Sequence, residues 1–470
     1  RTDGALFVWG YNGLGNIGDG TTLNKSSPVI IGGNDTWKKV SAGANNTYAI
    51  RSDDTLWAWG DNTYGQLGDM TIVSKSSPVL VGSTKFTTTK WTNVSMRQGG
   101  LAVFALKDNG TLWGWGYNGS YDLGDGTTSN KSSPVQVGFN YTPAFTSIRT
   151  GLNFSIYLDS TGSLWSSGFG AAQRGDFNAD ASKVSITRSD LTTTQDTYLA
   201  SWTMIDTAVS HGVALRYDNT LFTWGLNTSG RLGDYSTSTK SSPVAVKTVE
   251  MTSSQASSAS FVAVQSVAVG TAVVLLLSNG VMWGWGGGTG GQLGDGFVVS
   301  VNIPKAPINN DLWSKIITNN GDVPLGLKTD GTLWSWGLNT NGVVGDGTTV
   351  NKSSPVLVEL MRPATQVTST SALLNDGSLW TMGYYGTVGD GSTVSKSLPI
   401  QIGGSWIFTV TGNMRGAIRS DGALFTWGPN ANGQLGDGTT IDKPVPTRIG
   451  TSSWTKVAAG DTHVVAIRSD

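Results

Sequence analysis

The apolar residues of this chain come in short bursts divided by polar, glycine-rich links. The segment 55–60 (TLWAWG) is apolar on both faces, the pattern of a strand covered on each side. Segments 37–43 (WKKVSAG) and 47–53 (TYAIRSD) read as two further strands joined by Gly and Asn, and 77–82 (SPVLVG) as a short β-branched fourth. The link 52–55 (SDDT) between the second and third of these is a tight-hairpin signal. No stretch sustains a helical period, so the pattern predicts an all-β chain.

The four-strand pattern recurs. Anchored on the first residue of Leu-x-x-Trp-Gly, it falls at Leu6, Leu56, Leu112, Leu164, Leu221, Met282, Leu333, Leu379 and Leu424, at intervals of 45 to 61 residues. That period suits a four-stranded unit, and nine of them fill residues 1–470 as a single repeat array. Each anchor is followed four residues on by Gly, from Gly10 to Gly428, and later by a Gly-Asp pair whose acids run from Asp19 to Asp437. The Trp before the first Gly is kept in seven copies and becomes Ser167 and Met382 in the others.

Assembled, the phrase resembles the RCC1-repeat family (regulator of chromosome condensation). Gly-x-Asn-x-x-Gly-Gln-Leu-Gly stands intact at Gly60–Gly68 and Gly428–Gly436, and Gly460 to His463 matches a second family signature. Lys-Ser-Ser-Pro in the fourth strand is closer to prokaryotic or phage versions of the repeat. The resemblance implies a β-propeller of four-stranded blades. Well-known members close with seven blades and this chain has nine repeats, so the ring is larger, some repeats lie outside it, or the array is an open β superhelix. The chain begins and ends within one hairpin (RTDGALFVWG and HVVAIRSD), which predicts closure by pairing of the N- and C-terminal strands. It opens at Arg1 rather than Met, as a trimmed piece of a longer protein would.

Composition narrows the function. Lys plus Arg number 31 and Asp plus Glu 32, with no basic run, so nucleic acid is not an expected partner. There is no cysteine, which removes disulfides, thiolate metal sites and thiol nucleophiles. No apolar run is long enough to span a bilayer. The repeated Asp residues suggest calcium, but each loop offers a single acid, whereas calcium needs several converging oxygens; turn capping explains them. Gly286, Gly288 and Gly291 fit a dinucleotide pattern without the helix it requires. His211 and His463 occupy matching places in different repeats and form no metal pair. Arg174-Gly175-Asp176 spells an adhesion tripeptide, yet its Gly-Asp is the ordinary repeat pair. Asn24, Asn130 and Asn351 read as glycan acceptors whose recurrence the repeat already accounts for. No catalytic set, metal site or cofactor site can be assembled.

A feature repeated nine times is a building rule, so function is expected where repetition fails. Repeat four diverges most, over residues 166–202; repeat five carries an inserted polar loop at 249–261; repeat six replaces the usual turn with an apolar one, 296–307. The candidate partner contacts are Phe169, Arg174, Phe177, Tyr198, Phe297 and Val298. The expected function is a non-catalytic structural or binding module on a phage particle or bacterial surface, extracellular or in the virion. It would present loops to a protein or glycan partner or to neighbouring subunits. The alternatives are an intracellular interaction regulator of the exchange-factor type and a protein inhibitor of an enzyme.

Overall fold

A computed structural model describes the chain except residues 1–4, 34, 44, 83–89, 97–100, 138–143, 152–153, 170–181, 189–201, 208–209, 219, 247–262, 270–271, 278–279, 306–310, 320–322, 369, 384–387, 412–413, 460–462 and 469–470. The described residues contain strands, turns and bends and no helix. Seven antiparallel sheets have four strands each in simple chain order; an example is Trp37–Ala42, Asn46–Arg51, Leu56–Gly60 and Lys75–Leu80. An eighth sheet has seven strands because the long strand Lys443–Ala459 serves two units, pairing with Ala423–Gly428 through its first part and with His463–Arg468 through its last. Nine four-stranded units result, one per sequence repeat.

The terminal strands pair as expected. Leu6–Gly10 runs antiparallel to His463–Arg468, from Leu6 opposite Ile467 to Gly10 opposite His463. The chain divides into two compact units, one of residues 1–119, 129–136 and 364–470 and the other of 120–128 and 137–363, each built from its own set of antiparallel sheets.

Each strand has a position-specific job. The second and third strands lie inside the sheet and are buried almost throughout, as in Asn46–Arg51 and Leu56–Gly60. The fourth is an edge strand, and it carries Pro28, Pro78, Pro134, Pro243, Pro304, Pro355 or Pro399, which offer no N–H to a stray partner strand. Opposite the third strand it bulges: Val8 faces Val29 but Gly10 faces Lys25, leaving Ser26, Ser27 and Pro28 outside the ladder.

That bulge is where one repeat grips the next. The amide after the repeated Asp donates to its carbonyl: Gly20 to Ser76 (2.6 Å), Gly296 to Ser353 (2.7 Å), and Gly438 to Ser26. The Trp of the third strand makes a second lock. It is fully buried, and its Nε1 donates to a carbonyl in the preceding repeat: Trp59 to Asn16 (3.0 Å), Trp115 to Gln66 (2.8 Å), Trp336 to Gln292 (2.9 Å), and Trp9 to Gln434 (2.9 Å) across the joined termini. The Gly of Gly-Asp is required there, because a Cβ on Gly18 would stand 2.6 Å from the Trp59 indole nitrogen at a backbone φ of 88°. Where Trp is lost, Ser167 keeps the bond, its hydroxyl donating to the Asp122 carbonyl at 2.8 Å.

Candidate interaction site

The Gly-Asp loop is organised by three side chains that recur together. In repeat two the Asn62 amide donates to Asp69 Oδ1 (3.0 Å), to the Thr71 carbonyl (3.1 Å) and to the Val73 carbonyl (3.2 Å), while its Oδ1 accepts the Leu67 N–H (2.9 Å). Asp69 Oδ1 also accepts the Thr71 N–H at 3.0 Å. A lysine from the start of the fourth strand meets the other carboxylate oxygen at 2.5–3.4 Å in six repeats: Lys25–Asp19, Lys75–Asp69, Lys240–Asp234, Lys352–Asp346, Lys396–Asp390 and Lys443–Asp437. At Asp19, Asp346 and Asp437 burial works to raise the carboxyl pKa, but the lysine and hydroxyl donors outweigh it and hold it below the ordinary range. The Asp residues thus cap turns, as the sequence suggested, with a lysine partner the sequence reading had not identified. The Asn-Lys-Ser asparagines brace the same loops: Asn24, Asn130 and Asn351 each accept a backbone N–H at 2.9 Å, from Asn12, Asn118 and Asn339.

This bracing fixes what the loop presents outward. Four residues beyond the Asp, one position carries Leu23, Val73, Val299, Val350, Val394 or Ile441, each 54–70% exposed. Isolated exposed aliphatics are ordinary; the same one in six repeats at one register is not. Sequence reading missed this row because it looks like neutral variation within a polar loop.

Repeat six concentrates the feature. Phe297 and Val298, both nominated from sequence, stand where most loops have Thr-Thr or Ser-Thr, and with Val299 they form an apolar tip 54–58% exposed. Lys305 lies over the Phe297 ring, its ammonium 5.4 Å from the centroid. Beneath the tip two braces are gone, with Gly288 in place of Asn and Val301 in place of Lys, while the Gly288 N–H still donates to Ser300 Oγ at 3.4 Å. Of the remaining nominations, Phe169 closes the strand Leu164–Phe169 opposite Ser182. Arg174, Phe177 and Tyr198 lie outside the described residues, as does the insertion 249–261.

Repeat five buries a histidine and an arginine. His211 opens the strand His211–Arg216, fully buried, with neither ring nitrogen hydrogen-bonded. Burial, reinforced by the nearby Arg231 charge, lowers its pKa to about 3, so it is neutral at ordinary pH. Arg231 replaces the usual Gln and donates to Ser210 Oγ (3.1 Å) and Thr228 Oγ1 (3.2 Å). A cavity of about 530 Å³ in the first unit lies among Val40, Val94, Phe408, Val457 and Ile467. Among the described residues, no cluster of three or more His, Cys, Asp or Glu could hold a metal ion, and no helix is long and apolar enough to cross a membrane.

Comparison with known proteins agrees with this architecture. The RCC1-like domain model matches residues 5–372, and the regulator of chromosome condensation (RCC1) repeat model matches residues 421–467. The ultraviolet-B receptor UVR8 of Arabidopsis thaliana is 24% identical over 268 residues, covering 56% of this chain and 55% of the receptor. The human E3 ubiquitin-protein ligase HERC2 is 30% identical over 158 residues, 33% of this chain and only 3% of the ligase. The chain therefore spans about half or less of the length of these relatives. Among solved structures, human WBSCR16 superposes with a TM-score of 0.53 at 16% identity, covering 99% of this chain and 98% of that one. Yeast RCC1 (Prp20), solved bound to Kap60, gives 0.51 at 18% identity, covering 99% and 88%. The relatives named here are eukaryotic, and the likeness to the two structures is one of fold. With a family model matched over most of its length and four-stranded units throughout, the chain belongs to the RCC1-like repeat family of β-propeller proteins.

Proposed function

We propose that this chain is a non-catalytic binding module that engages a protein partner through its Gly-Asp loop tips, foremost the repeat-six tip Phe297–Val299. The observation that carries this reading is the recurrence of an exposed aliphatic at one register in six loops, enlarged to three adjacent apolar residues where the Asn and Lys braces are lost. A near-zero net charge and the absence of cysteine favour a setting on a phage particle or bacterial surface, where the same loops could meet a glycan or a neighbouring subunit. The eukaryotic relatives favour the second reading, an intracellular interaction regulator.

The test is to pan a displayed random-peptide library on the immobilised chain and on the variant Phe297→Thr/Val298→Thr, which restores the turn of the other loops. Selected peptides should bind the variant at least tenfold more weakly. Equal binding to both proteins, or no selection at all, rejects the reading. Immunogold labelling of intact source particles or cells decides the setting: label that appears only after permeabilisation rules out the surface role.

A further inference from the structure

Asp295 differs from its counterparts in what it touches. Its Oδ1 accepts the Phe297 N–H at 3.1 Å, the ordinary cap. Its Oδ2 is buried with no hydrogen-bond partner, and the residue as a whole is only 4% exposed. In six other repeats that oxygen holds the lysine six residues downstream, a position filled here by Val301. The lost asparagine has been made good differently. A Cβ on Gly288 would lie 2.2 Å from the Val299 carbonyl, so this loop has closed into the space the Asn side chain takes elsewhere. Among the described residues nothing comparable replaces the ammonium. Lys305, on the same fourth strand, is engaged over the Phe297 ring instead.

A carboxylate buried without a counter-charge is costly, and six repeats hold the remedy in cis. We propose that repeat six takes it in trans: a partner segment places a Lys or Arg against Asp295 and packs a neighbouring apolar residue on Phe297 and Val298. One carboxylate oxygen is too little for a metal ion, which wants several oxygen ligands. The apolar tip beside it suits an occupant that is both cationic and apolar. This inference rests on the loop tips being the contact surface, and it names the chemistry of what they contact.

The decisive variant is Val301→Lys, which rebuilds the lysine–carboxylate pair within the chain, with Val301→Met as an uncharged control of similar length. The probes are peptides selected on the unaltered protein and synthesised singly, then measured by calorimetry against each variant. Selected peptides should carry Lys or Arg beside an aliphatic or aromatic residue. Val301→Lys should lower their affinity at least tenfold while raising the protein's own Tm, and Val301→Met should keep the affinity. Replacing the peptide's cation by norleucine should weaken binding to the unaltered protein and cost nothing further against Val301→Lys. Peptides without a cation, or equal affinity for Val301→Lys, overturn the proposal. If Val301→Lys binds fully while Phe297→Thr does not, the contact surface stands and the trans pairing falls. If neither variant loses affinity, both fall.

Discussion

Repeats two and six place the same acid at the same point of the same loop and surround it differently. Asp69 is met by Asn62, by the Thr71 amide and hydroxyl, and by Lys75. Asp295 keeps the backbone amide and loses the rest. The first loop satisfies its own polar groups and is complete without help. The second leaves a buried oxygen open and turns three apolar side chains outward. In a repetitive fold, then, the identity of a residue says less than whether its usual partners are present.

The comparison is broken most severely by making repeat two resemble repeat six. Asn62→Gly removes the donor to Asp69, Thr71 and Val73 and the acceptor for the Leu67 amide. Losing that set should cost about 3 kcal/mol, because each buried group left unpaired costs about 1–3 kcal/mol and water recovers part of it. Hydrogen exchange at the Leu67 amide reads this locally, with acceleration of about a hundredfold expected. An unchanged rate would mean that the loop is held by the bulge and Trp contacts alone.

The sequence made the architecture legible because strand positions, hairpin links and the terminal strands repeat with a readable spacing. Repetition also exposed Gly18 and Asp19 and their equivalents as structural. The lysine of Lys-Ser-Ser-Pro escaped because its partner lies six residues back across a turn, a distance no helix or strand period marks. The row from Leu23 to Ile441 escaped because exposure is invisible in sequence, where Leu, Val and Ile among Thr and Asn read as drift. Phe297 and Val298 stand out for the opposite reason, as consecutive apolar residues where Thr-Thr or Ser-Thr is usual. What repeat four contributes through Arg174, Phe177 and Tyr198 falls outside the described residues.

A second departure sharpens the comparison away from the loops. His211 lies opposite Gly225, the place Phe154 holds opposite Gly168. Its imidazole has no hydrogen-bond partner and a pKa of about 3, against about 6.5 when unfolded. The unfolded chain takes up the proton first as pH falls, so the contribution is whole above about 6.5 and drains away below it, at about 1.4 kcal/mol per pH unit until the folded pKa is reached. Between pH 7 and pH 5 this amounts to about 2 kcal/mol. Urea unfolding at both values should show His211→Phe losing that much less stability than the unaltered chain. A parallel pH dependence in the two proteins would mean that His211 finds a partner in solution.

The smallest effect concerns backbone rather than polar groups. The residue after the repeated Asp is Gly in most loops and has positive φ, 87° at Gly20 and 84° at Gly347, because its amide must turn to reach the next repeat's bulge. Repeat two has Met70 there, at φ 67°, with its amide still donating to the Ser132 carbonyl at 2.6 Å. The contact is kept and the strain is accepted, since an L side chain in the left-handed region costs roughly 1–2 kcal/mol. Met70 is also 59% exposed, so removing its side chain sacrifices little packing. Met70→Gly should therefore stabilise the chain by about 1 kcal/mol, less than the strain because glycine is freer in the unfolded state. Urea unfolding checks the sign. Destabilisation would mean that the Met70 side chain packs in solution against the neighbouring apolar Ile72 and Val73, and that repeat two, for all its intact braces, also presents a built contact face.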